Sequence, residues 1–217
     1  MPRRFVRERR RDPFYRAAQE EGLRSRAAFK LAYLDDRYGL LRPGTRVLDL
    51  GAAPGGWSIV AADRVGPRGR VVAVDQRSIA PIPGVSVVRG RVGDPGLAAR
   101  LGAARFDLVI SDLSPRISGA YGTDHARSVA LVRDAVELAR RVLAPGGAFA
   151  AKVFDGDLVD DLEREVGASF DRVRRTKPPA SRDASSELYL VATGFRAVGA
   201  RRGPRTGEGP VPPESAM

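Results

Sequence analysis

The chain of 217 residues contains no cysteine and a single histidine, His125. Without cysteine there are no disulfides and no thiolate metal ligands, and mechanisms that depend on a cysteine nucleophile are excluded. A metal centre needs several convergent nitrogen or carboxylate ligands. With one histidine in the whole chain, we expect no metal site.

Long apolar runs are also missing. No stretch approaches the roughly 20 apolar residues of a membrane-spanning helix, and the arginine-rich N-terminus lacks the apolar segment of a secretory signal. We therefore expect a cytoplasmic protein that makes no membrane contact, and we expect it to act as a monomer.

Lysine is scarce in a strongly basic chain. It occurs only at Lys30, Lys152 and Lys177, so that 34 of the 37 basic residues (37 − 3) are arginine, and the net charge is +11. A basic excess of this size favours a polyanionic partner such as RNA. Arginine cannot lose its proton in a protein, whereas a partly buried lysine can. Two interpretations of Lys152, in the apolar run 148–154, are therefore open. A lysine occurs there by chance, or the position requires an amine that can lose its proton.

The chain reads as one domain with two polar ends. Residues 1–24 are predicted to form a basic arm and a short helix, 25–196 the domain, and 197–217 a disordered tail. Ser25 is a suitable N-cap for an amphipathic helix that ends at Tyr38, before Gly39.

Short apolar runs then alternate with helical segments, which predicts a parallel sheet covered on both faces. The longest helix is predicted over 126–143, and the last two strands form an antiparallel pair at the sheet edge. The fold class is α/β and Rossmann-like, with seven strands, mostly parallel, and one antiparallel edge hairpin strand. The predicted strands are 46–50, 70–75, 85–89, 106–112, 148–154, 170–176 and 187–193.

A glycine-rich loop, D-L-G-A-A-P-G-G-W-S (49–58), follows the first strand and opens a helix. Its glycines, Gly51, Gly55 and Gly56, allow the backbone to approach a ligand closely, and the helix N-terminus offers amide donors. The next strand ends in Asp75, 24 residues after Gly51 (75 − 51). A doubly wound fold places there the carboxylate that binds a ribose diol. The pattern therefore predicts a nucleotide-like ligand.

The loop does not match the motifs of phosphate-rich ligands. Its spacing, G-x-x-x-G-G, differs from the dinucleotide fingerprint, and no G-K-S/T sequence is present. Asp49, just before the loop, would repel a pyrophosphate but suits a ligand with a cationic amino acid end. S-adenosylmethionine has such an end and no phosphates. The alternative for Asp49 is a hydrogen-bond acceptor within the loop.

A second constellation of polar residues is predicted at the carboxyl edge of the sheet. Asp112 ends the fourth strand, Lys152 lies on its neighbour, Glu187 begins the last strand, and Lys30 arrives from the first helix of the domain. A structural ion-pair network is one interpretation. Arginine's planar fork would suit that role better, however, whereas a general base needs an amine that can deprotonate. Burial and a second nearby cation both lower the pKa of a lysine, which favours the catalytic interpretation.

The motifs together resemble the RrmJ/FtsJ (RlmE-like) family of ribosomal RNA ribose methyltransferases. The resemblance runs from about Ser25 to Phe195. It is carried by the glycine loop, S-D-L-S-P-x-x-S-G (111–119), L-A-P-G-G-x-F-x-x-K-V-F (143–154) and S-S-E-L-Y-L-V-A-T-G-F (185–195).

The resemblance implies a Rossmann-like methyltransferase fold and methyl transfer from S-adenosylmethionine to a ribose 2′-hydroxyl, typically on a uridine of large-subunit rRNA. Methylation of tRNA or another RNA remains an alternative, as does a non-catalytic RNA-binding assembly factor on the same fold. The catalytic tetrad of the family falls on Lys30, Asp112, Lys152 and Glu187, and its cofactor contacts on Gly55, Trp57, Asp75 and Asp112.

One position departs from the family pattern. Members usually carry an acidic residue after the glycine that ends the third strand, where it contacts the adenine, and this chain has Arg91. Either Asp94, three residues later, or a backbone amide takes over that contact.

The remaining candidates concern RNA and the isolated aromatic residues. Trp57 and Tyr121 are predicted to be packed aromatics rather than stacking platforms, and His125 an ordinary residue near a helix start. The candidates for a phosphate track are Arg3, Arg4, Arg7, Arg9, Arg10, Arg11, Arg24, Arg26, Arg174, Arg175, Lys177 and Arg182.

Overall fold

The computed structural model describes residues 27–103, 105–179 and 186–197. The predicted arm and short helix (1–24), the cap at Ser25 and all but one residue of the predicted tail lie outside this part, so the proposed domain limits stay predictions. Every other structural statement concerns the described residues.

These residues form five helices and seven strands. The strands predicted at 46–50, 70–75, 85–89 and 170–176 have the predicted bounds. In chain order the elements are α1 Ala27–Tyr38, β1 Arg46–Leu50, α2 Gly56–Val65, β2 Arg70–Asp75, β3 Val85–Arg89, α3 Leu97–Leu101, β4 Phe106–Ser111, α4 Tyr121–Val142, β5 Leu143–Phe154, α5 Val159–Gly167, β6 Phe170–Thr176 and β7 Glu187–Phe195.

The strands form one sheet in the order β3-β2-β1-β4-β5-β7-β6. The neighbours from β3 to β5 are parallel, and β7 pairs antiparallel with both β5 and β6. The predicted seven-stranded, mostly parallel α/β sheet is therefore confirmed. The antiparallel strand lies one position inside the edge, because β7 inserts between β5 and β6.

Helix α4 begins five residues earlier than the predicted Ala126. Asp124, in its first turn, accepts hydrogen bonds from the backbone N–H of Ser118 at 2.8 Å, the Ser118 hydroxyl at 2.7 Å and the backbone N–H of Gly119 at 3.0 Å. These bonds fasten the preceding loop to the extra turn. Gly122 and Thr123 are poor helix formers, which hid this turn in the sequence.

Strand β5 is also longer than predicted, because the Pro145-Gly146-Gly147 segment lies within it. Leu143 pairs with Phe106 and Ala148 with Leu108, so the register shifts between the two pairs. The extra residues of β5 are accommodated as an irregularity of the strand, and the predicted break between helix and strand is absent.

The core occupies both faces of the sheet, as the alternation along β5 requires. Ala150 packs with α1 and α2 on one face, in a cluster that includes Leu34 and Trp57. Ala151 and Val153 pack with α3, α4 and α5 on the other face. Both faces are thus covered, and the carboxyl ends of β1, β2, β4 and β5 remain open, where sheets of this kind bind ligands.

Candidate active site

The four residues of the predicted tetrad converge at the carboxyl edge of the sheet. Lys30 comes from α1, Asp112 follows β4, Lys152 lies on β5 and Glu187 begins β7. Lys30 Nζ lies 2.5 Å from Glu187 Oε2. Lys152 Nζ lies 3.2 Å from Asp112 Oδ1 and 3.7 Å from Glu187 Oε1. The four side chains form one continuous chain of charges, in which Glu187 stands between the two lysines.

Both lysines of this network are buried. The side chain of Lys152 is 6% exposed and that of Lys30 is 5% exposed, whereas the two carboxylates keep 20% and 19% of their surface. A buried ammonium is costly unless it is paired. Lys152 also donates to the backbone oxygen of Asp112 at 3.2 Å, so Asp112 contacts it twice. The two carboxylates are therefore the more accessible part of the network, and they pair with the buried amines.

Tyr189 belongs to this network, although the sequence interpretation gave it no role. Its hydroxyl donates to Asp112 Oδ1 at 3.0 Å, and its ring centroid lies 5.8 Å from Lys30 Nζ. Strand alternation places Tyr189 on the same face as Glu187, two residues earlier, and this was the signal that could have revealed it.

Trp57 lies beneath the site as a packed aromatic, as expected. It is buried, its indole N–H donates to the backbone oxygen of Ala27 at 2.7 Å, and its ring lies 5.8 Å from that of Tyr189. Trp57 does not line the cavity that lies beside the tetrad. Its contact with the cofactor, which the resemblance implies, stays a prediction.

A cavity of about 660 Å³ lies beside the tetrad. The glycine loop forms one wall, where Gly51 has φ +76° and an added Cβ would lie 2.8 Å from the side chain of Leu113. Gly55, with φ 112°, precedes α2, and Gly56 is buried as its first residue. The residues that line the cavity are Gly51, Ala53, Asp75, Gln76, Arg77, Asp112, Leu113, Ser114, Pro115, Arg116 and Lys152.

Asp75 stands at the end of β2, where the sequence predicted a ribose-binding carboxylate. Its Oδ2 accepts from the backbone N–H of Ala53 at 2.9 Å, and its Oδ1 from that of Arg77 at 2.8 Å. A carboxylate has about four lone-pair sites, so these bonds orient Asp75 and leave it acceptor capacity towards the cavity.

Asp49 lies beneath the glycine loop and is completely buried. Its Oδ2 accepts from the Ser58 hydroxyl at 2.6 Å, whereas its Oδ1 has no hydrogen-bond partner. Burial is the main reason that the pKa of Asp49 is raised to about 7; the Ser58 hydrogen bond opposes this rise, and the negative charges of Asp112 and Asp75 add to it. Asp75 and Asp112 line the cavity, and Asp49 is buried behind them, so the carboxylates at this end suit the cationic groups of a ligand. S-adenosylmethionine, with its ammonium and sulfonium, fits this charge pattern.

Comparison with known proteins places the chain in a family. The model of the FtsJ-like methyltransferase family matches residues 23–195. The chain belongs to this family. Ribosomal RNA large subunit methyltransferase E of Haloarcula marismortui is 48% identical to it over 195 residues, which cover 84% of this chain and 74% of that protein. The protein of the same name from Granulibacter bethesdensis is 48% identical over 191 residues, covering 87% and 82% of the two chains.

Solved structures agree with this assignment. The crystal structure of a Plasmodium falciparum protein assigned as a ribosomal RNA methyltransferase matches with a TM-score of 0.72 at 28% identity, over 79% of this chain and 98% of that one. Family membership confirms the resemblance seen in the motifs, and with it the prediction of a methyltransferase that uses S-adenosylmethionine.

The adenine contact differs from the usual family pattern. Asp94 accepts from the backbone N–H of Gly96 at 2.9 Å and pairs with Arg100 at 2.5 Å. It therefore fixes the start of α3 and does not line the cofactor cavity, and neither does Arg91. The placement of Asp94 gives no support to a shifted adenine contact, and Gln76, next to Asp75, is one of the polar residues that line the cavity.

The predicted phosphate track is described only in part. Arg174 and Lys177 are exposed. Arg175 pairs with Asp160 and Glu163 of α5, at 2.5 Å each, so a phosphate would have to compete with two carboxylates for it, and its assignment to the track stays a prediction. Strand alternation turns it towards α5 and away from the face of Arg174. The other candidates, Arg3, Arg4, Arg7, Arg9, Arg10, Arg11, Arg24, Arg26 and Arg182, lie outside the described residues.

His125 is a structural residue near the start of α4, as expected, whereas Tyr121 is not packed as predicted. His125 is buried, its Nδ1 lies 3.0 Å from the backbone oxygen of Phe154, and its Nε2 accepts from the backbone N–H of Leu158 at 3.2 Å. It therefore fastens the segment after β5 to α4. Tyr121, expected to be packed, is 63% exposed.

The described part of the chain offers neither a metal-binding cluster nor a membrane-spanning helix. No group of three or more histidine, cysteine or acidic side chains is arranged to hold a metal ion there. In the same residues, no helix is long and apolar enough to cross a bilayer.

Proposed function

We propose that this chain methylates a ribose 2′-hydroxyl in RNA, and that the substrate is a uridine of large-subunit rRNA. The supporting observation is the buried amine of Lys152, which Asp112 holds at the wall of the cofactor cavity. The names of the relatives, which are large-subunit rRNA methyltransferases, support the choice of RNA. The basic net charge of +11 is consistent with a phosphate-rich substrate.

The reaction moves a methyl group from the cofactor to an oxygen nucleophile. When bound, S-adenosylmethionine would supply a methyl group on a sulfonium: the methyl carbon would gain a bond to the ribose oxygen and lose its bond to sulfur, which would leave as a neutral thioether, and the hydroxyl proton would be released. Lys152, in its neutral form, takes that proton on Nζ. Such a general base contributes about 10²–10⁴-fold to the rate.

The other three residues position this amine. Two contacts of Lys152 Nζ, both 3.2 Å long, go to Asp112, whereas its distance of 3.7 Å to Glu187 exceeds a hydrogen bond. Asp112 therefore orients the amine. Glu187 forms its short bond with Lys30 and so links the two lysines of the network.

The substrate can be tested by incubating the purified protein with radiolabelled S-adenosylmethionine and either large-subunit rRNA, assembled subunits or tRNA. We expect label in the rRNA, recovered after nuclease digestion as a 2′-O-methyl nucleoside. Label on a base, label in tRNA only, or no transfer to any RNA would each contradict the proposal.

The role of Lys152 can be tested with Lys152→Arg, which keeps the charge but cannot supply a neutral amine. We expect kcat to fall by about 10²–10⁴-fold, with cofactor affinity and folding retained. Lys177→Arg makes the same change at an exposed lysine and keeps the positive charge that a phosphate contact needs, so it should leave kcat unchanged. Near-normal turnover by Lys152→Arg would remove the base assignment.

A further inference from the structure

A second cavity, of about 400 Å³, adjoins the tetrad. It shares Ser114 with the cofactor cavity and Glu187 with the tetrad, so the tetrad lies where the two cavities meet. Its lining residues are Ser114, Ile117, Gly119, Tyr121, Asp124, Phe154, Ser186 and Glu187.

Exposed apolar surface is concentrated at this second cavity. Among the described residues, three large hydrophobic side chains are exposed: Val87 at 43%, Ile117 at 60% and Tyr121 at 63%. Two of the three line the second cavity. A group of exposed apolar side chains beside polar functional residues is typical of a ligand-binding surface.

Tyr121 is held in place despite its exposure. Its hydroxyl donates to the backbone oxygen of Asp155 at 2.6 Å, and its ring lies nearly parallel to that of His125, with centroids 6.3 Å apart and planes inclined by 12°. Asp155 in turn donates its backbone N–H to the oxygen of Ser186 at 2.7 Å. The ring is therefore anchored to the segments that directly follow Lys152 and precede Glu187.

We propose that the second cavity holds the base of the target nucleotide, stacked on Tyr121 and bordered by Ile117. This proposal rests on the function proposed above. The base is bonded to the ribose carbon next to the one that carries the 2′-hydroxyl. If the 2′-hydroxyl faces Lys152, the base must therefore lie immediately beside the tetrad. The cavity lined by the glycine loop is the one assigned to the cofactor, which leaves the second cavity for the base.

The chemistry of the lining suits an unpaired base. Single-stranded RNA is commonly recognised by stacking its bases on aromatic side chains, with hydrogen bonds to their edges. Tyr121 offers the aromatic ring, and the hydroxyls of Ser114 and Ser186 can each donate or accept a hydrogen bond. These groups give the cavity both a stacking surface and polar partners for a base edge.

The proposal can be tested with Tyr121→Ala and Tyr121→Phe, using the rRNA substrate. We expect kcat/KM for RNA to fall by about 5- to 150-fold in Tyr121→Ala, because stacking of one base contributes on this scale. Tyr121→Phe keeps the ring and loses the hydroxyl, and should stay within about threefold of wild type. Cofactor affinity should be unchanged in both. Val87→Ala truncates the third exposed hydrophobic residue, on β3, and should behave as wild type.

The possible outcomes separate this proposal from the one on which it rests. Normal kcat/KM in Tyr121→Ala, with an active wild-type protein, would refute the base subsite alone. An equal loss in Tyr121→Phe and Tyr121→Ala would show that the residue acts through its bond to Asp155, which would also refute stacking. A wild-type protein that methylates no RNA would remove the proposed function and the subsite together.

A second measurement distinguishes stacking from an effect on the loop. Once the methylated nucleotide is identified from the wild-type product, a short RNA can be made in which that nucleotide has its ribose but no base. We expect the wild-type protein to bind the abasic RNA at least as weakly as Tyr121→Ala binds the intact RNA, because the base also loses its polar partners, with no further loss when Tyr121→Ala is combined with the abasic RNA. Losses that simply add would show that base and ring do not touch.

Discussion

Asp49 provides a test of the site's electrostatics that needs no RNA. The carboxyl group is completely buried, its pKa is raised to about 7, and Oδ1 has no hydrogen-bond partner. In the Asp49→Asn variant the amide oxygen can still accept from the Ser58 hydroxyl. The variant therefore resembles the protonated form of Asp49 at every pH.

The sign and size of the effect follow from the difference between the folded and unfolded pKa values. Because the folded pKa of about 7 exceeds the ordinary value of 3.8, the stabilisation from holding this proton is complete below pH 3.8 and is lost as the pH rises to about 7. Each pKa unit corresponds to about 1.4 kcal/mol, and the group is still half protonated at pH 7, so the wild-type free energy of unfolding should fall by about 2 kcal/mol between pH 5 and pH 7 through this group alone. Asp49→Asn lacks this dependence.

The assay is urea denaturation at pH 5, 6, 7 and 8, followed by the fluorescence of Trp57, the single tryptophan, which is buried. The stability of Asp49→Asn relative to wild type should increase from pH 5 to pH 7 and then level off. Comparing the two proteins at each pH cancels the other titrating groups. A difference that is constant from pH 5 to pH 8 would refute the reasoning.

Asp107→Asn is the matched control for this experiment. Hydrogen bonds from Arg46 lower the pKa of Asp107, so its contribution to stability is lost only as the pH falls below the usual aspartate range. Its offset from wild type should therefore stay constant between pH 5 and pH 8. An offset that changes in this window would show that the measured trend does not come from Asp49.

The same ionisation should appear in cofactor binding, measured by calorimetry. A cationic ligand favours the charged form of Asp49, so wild-type affinity for S-adenosylmethionine should increase as the pH rises towards 7, with proton release on binding. Asp49→Asn should bind more weakly at pH 8 and show no such trend. Equal affinity at pH 8 would exclude a role of this charge. Weak binding together with higher stability would indicate that the protein tolerates an unfavourable buried carboxylate for the sake of its cofactor.

Two further predictions concern the tetrad and the substrate surface. Tyr189→Phe removes the hydrogen bond to Asp112 Oδ1. It should lower kcat by about 3- to 10-fold, which is the scale of one hydrogen bond, and leave cofactor affinity unchanged. An unchanged kcat would show that Lys152 alone orients Asp112. Binding of rRNA should weaken steeply between 50 and 200 mM salt because phosphate contacts release counterions, and a flat response would exclude a basic RNA-binding surface.

Elements of the sheet were predictable because their signals are local. Buried parallel strands consist of short apolar runs between turn residues, and such runs gave the bounds of β1, β2 and β3. The convergence of the tetrad was also predictable, since parallel neighbouring strands end at the same edge. The start of α4 was not, because it depends on the bonds between Asp124 and a loop that precedes it.

Side-chain partners were less predictable than positions. Arg175 was assigned to RNA on its place in a basic cluster, but the partner is chosen by the face of β6 on which it lies, and α5 offers Asp160 and Glu163 there. Asp94 likewise pairs with Arg100, which a linear spacing cannot reveal. Tyr121 was expected to pack because most aromatic residues do. Instead its ring is exposed, and its hydroxyl donates a hydrogen bond to the backbone oxygen of Asp155, 34 residues away in sequence.

The scarcity of lysine finds a physical explanation in the burial of the ion pairs. Every arginine in an ion pair of the described residues keeps at least 22% of its side chain exposed, the lowest value being that of Arg196. The side chains of Lys30 and Lys152 keep 5% and 6%. Arginine is more weakly hydrated and forms the better fork with carboxylates, so a purely structural network at this depth would favour it. The chain instead places two of its three lysines against one glutamate, where only an amine can release a proton, and this choice argues for chemistry at the site.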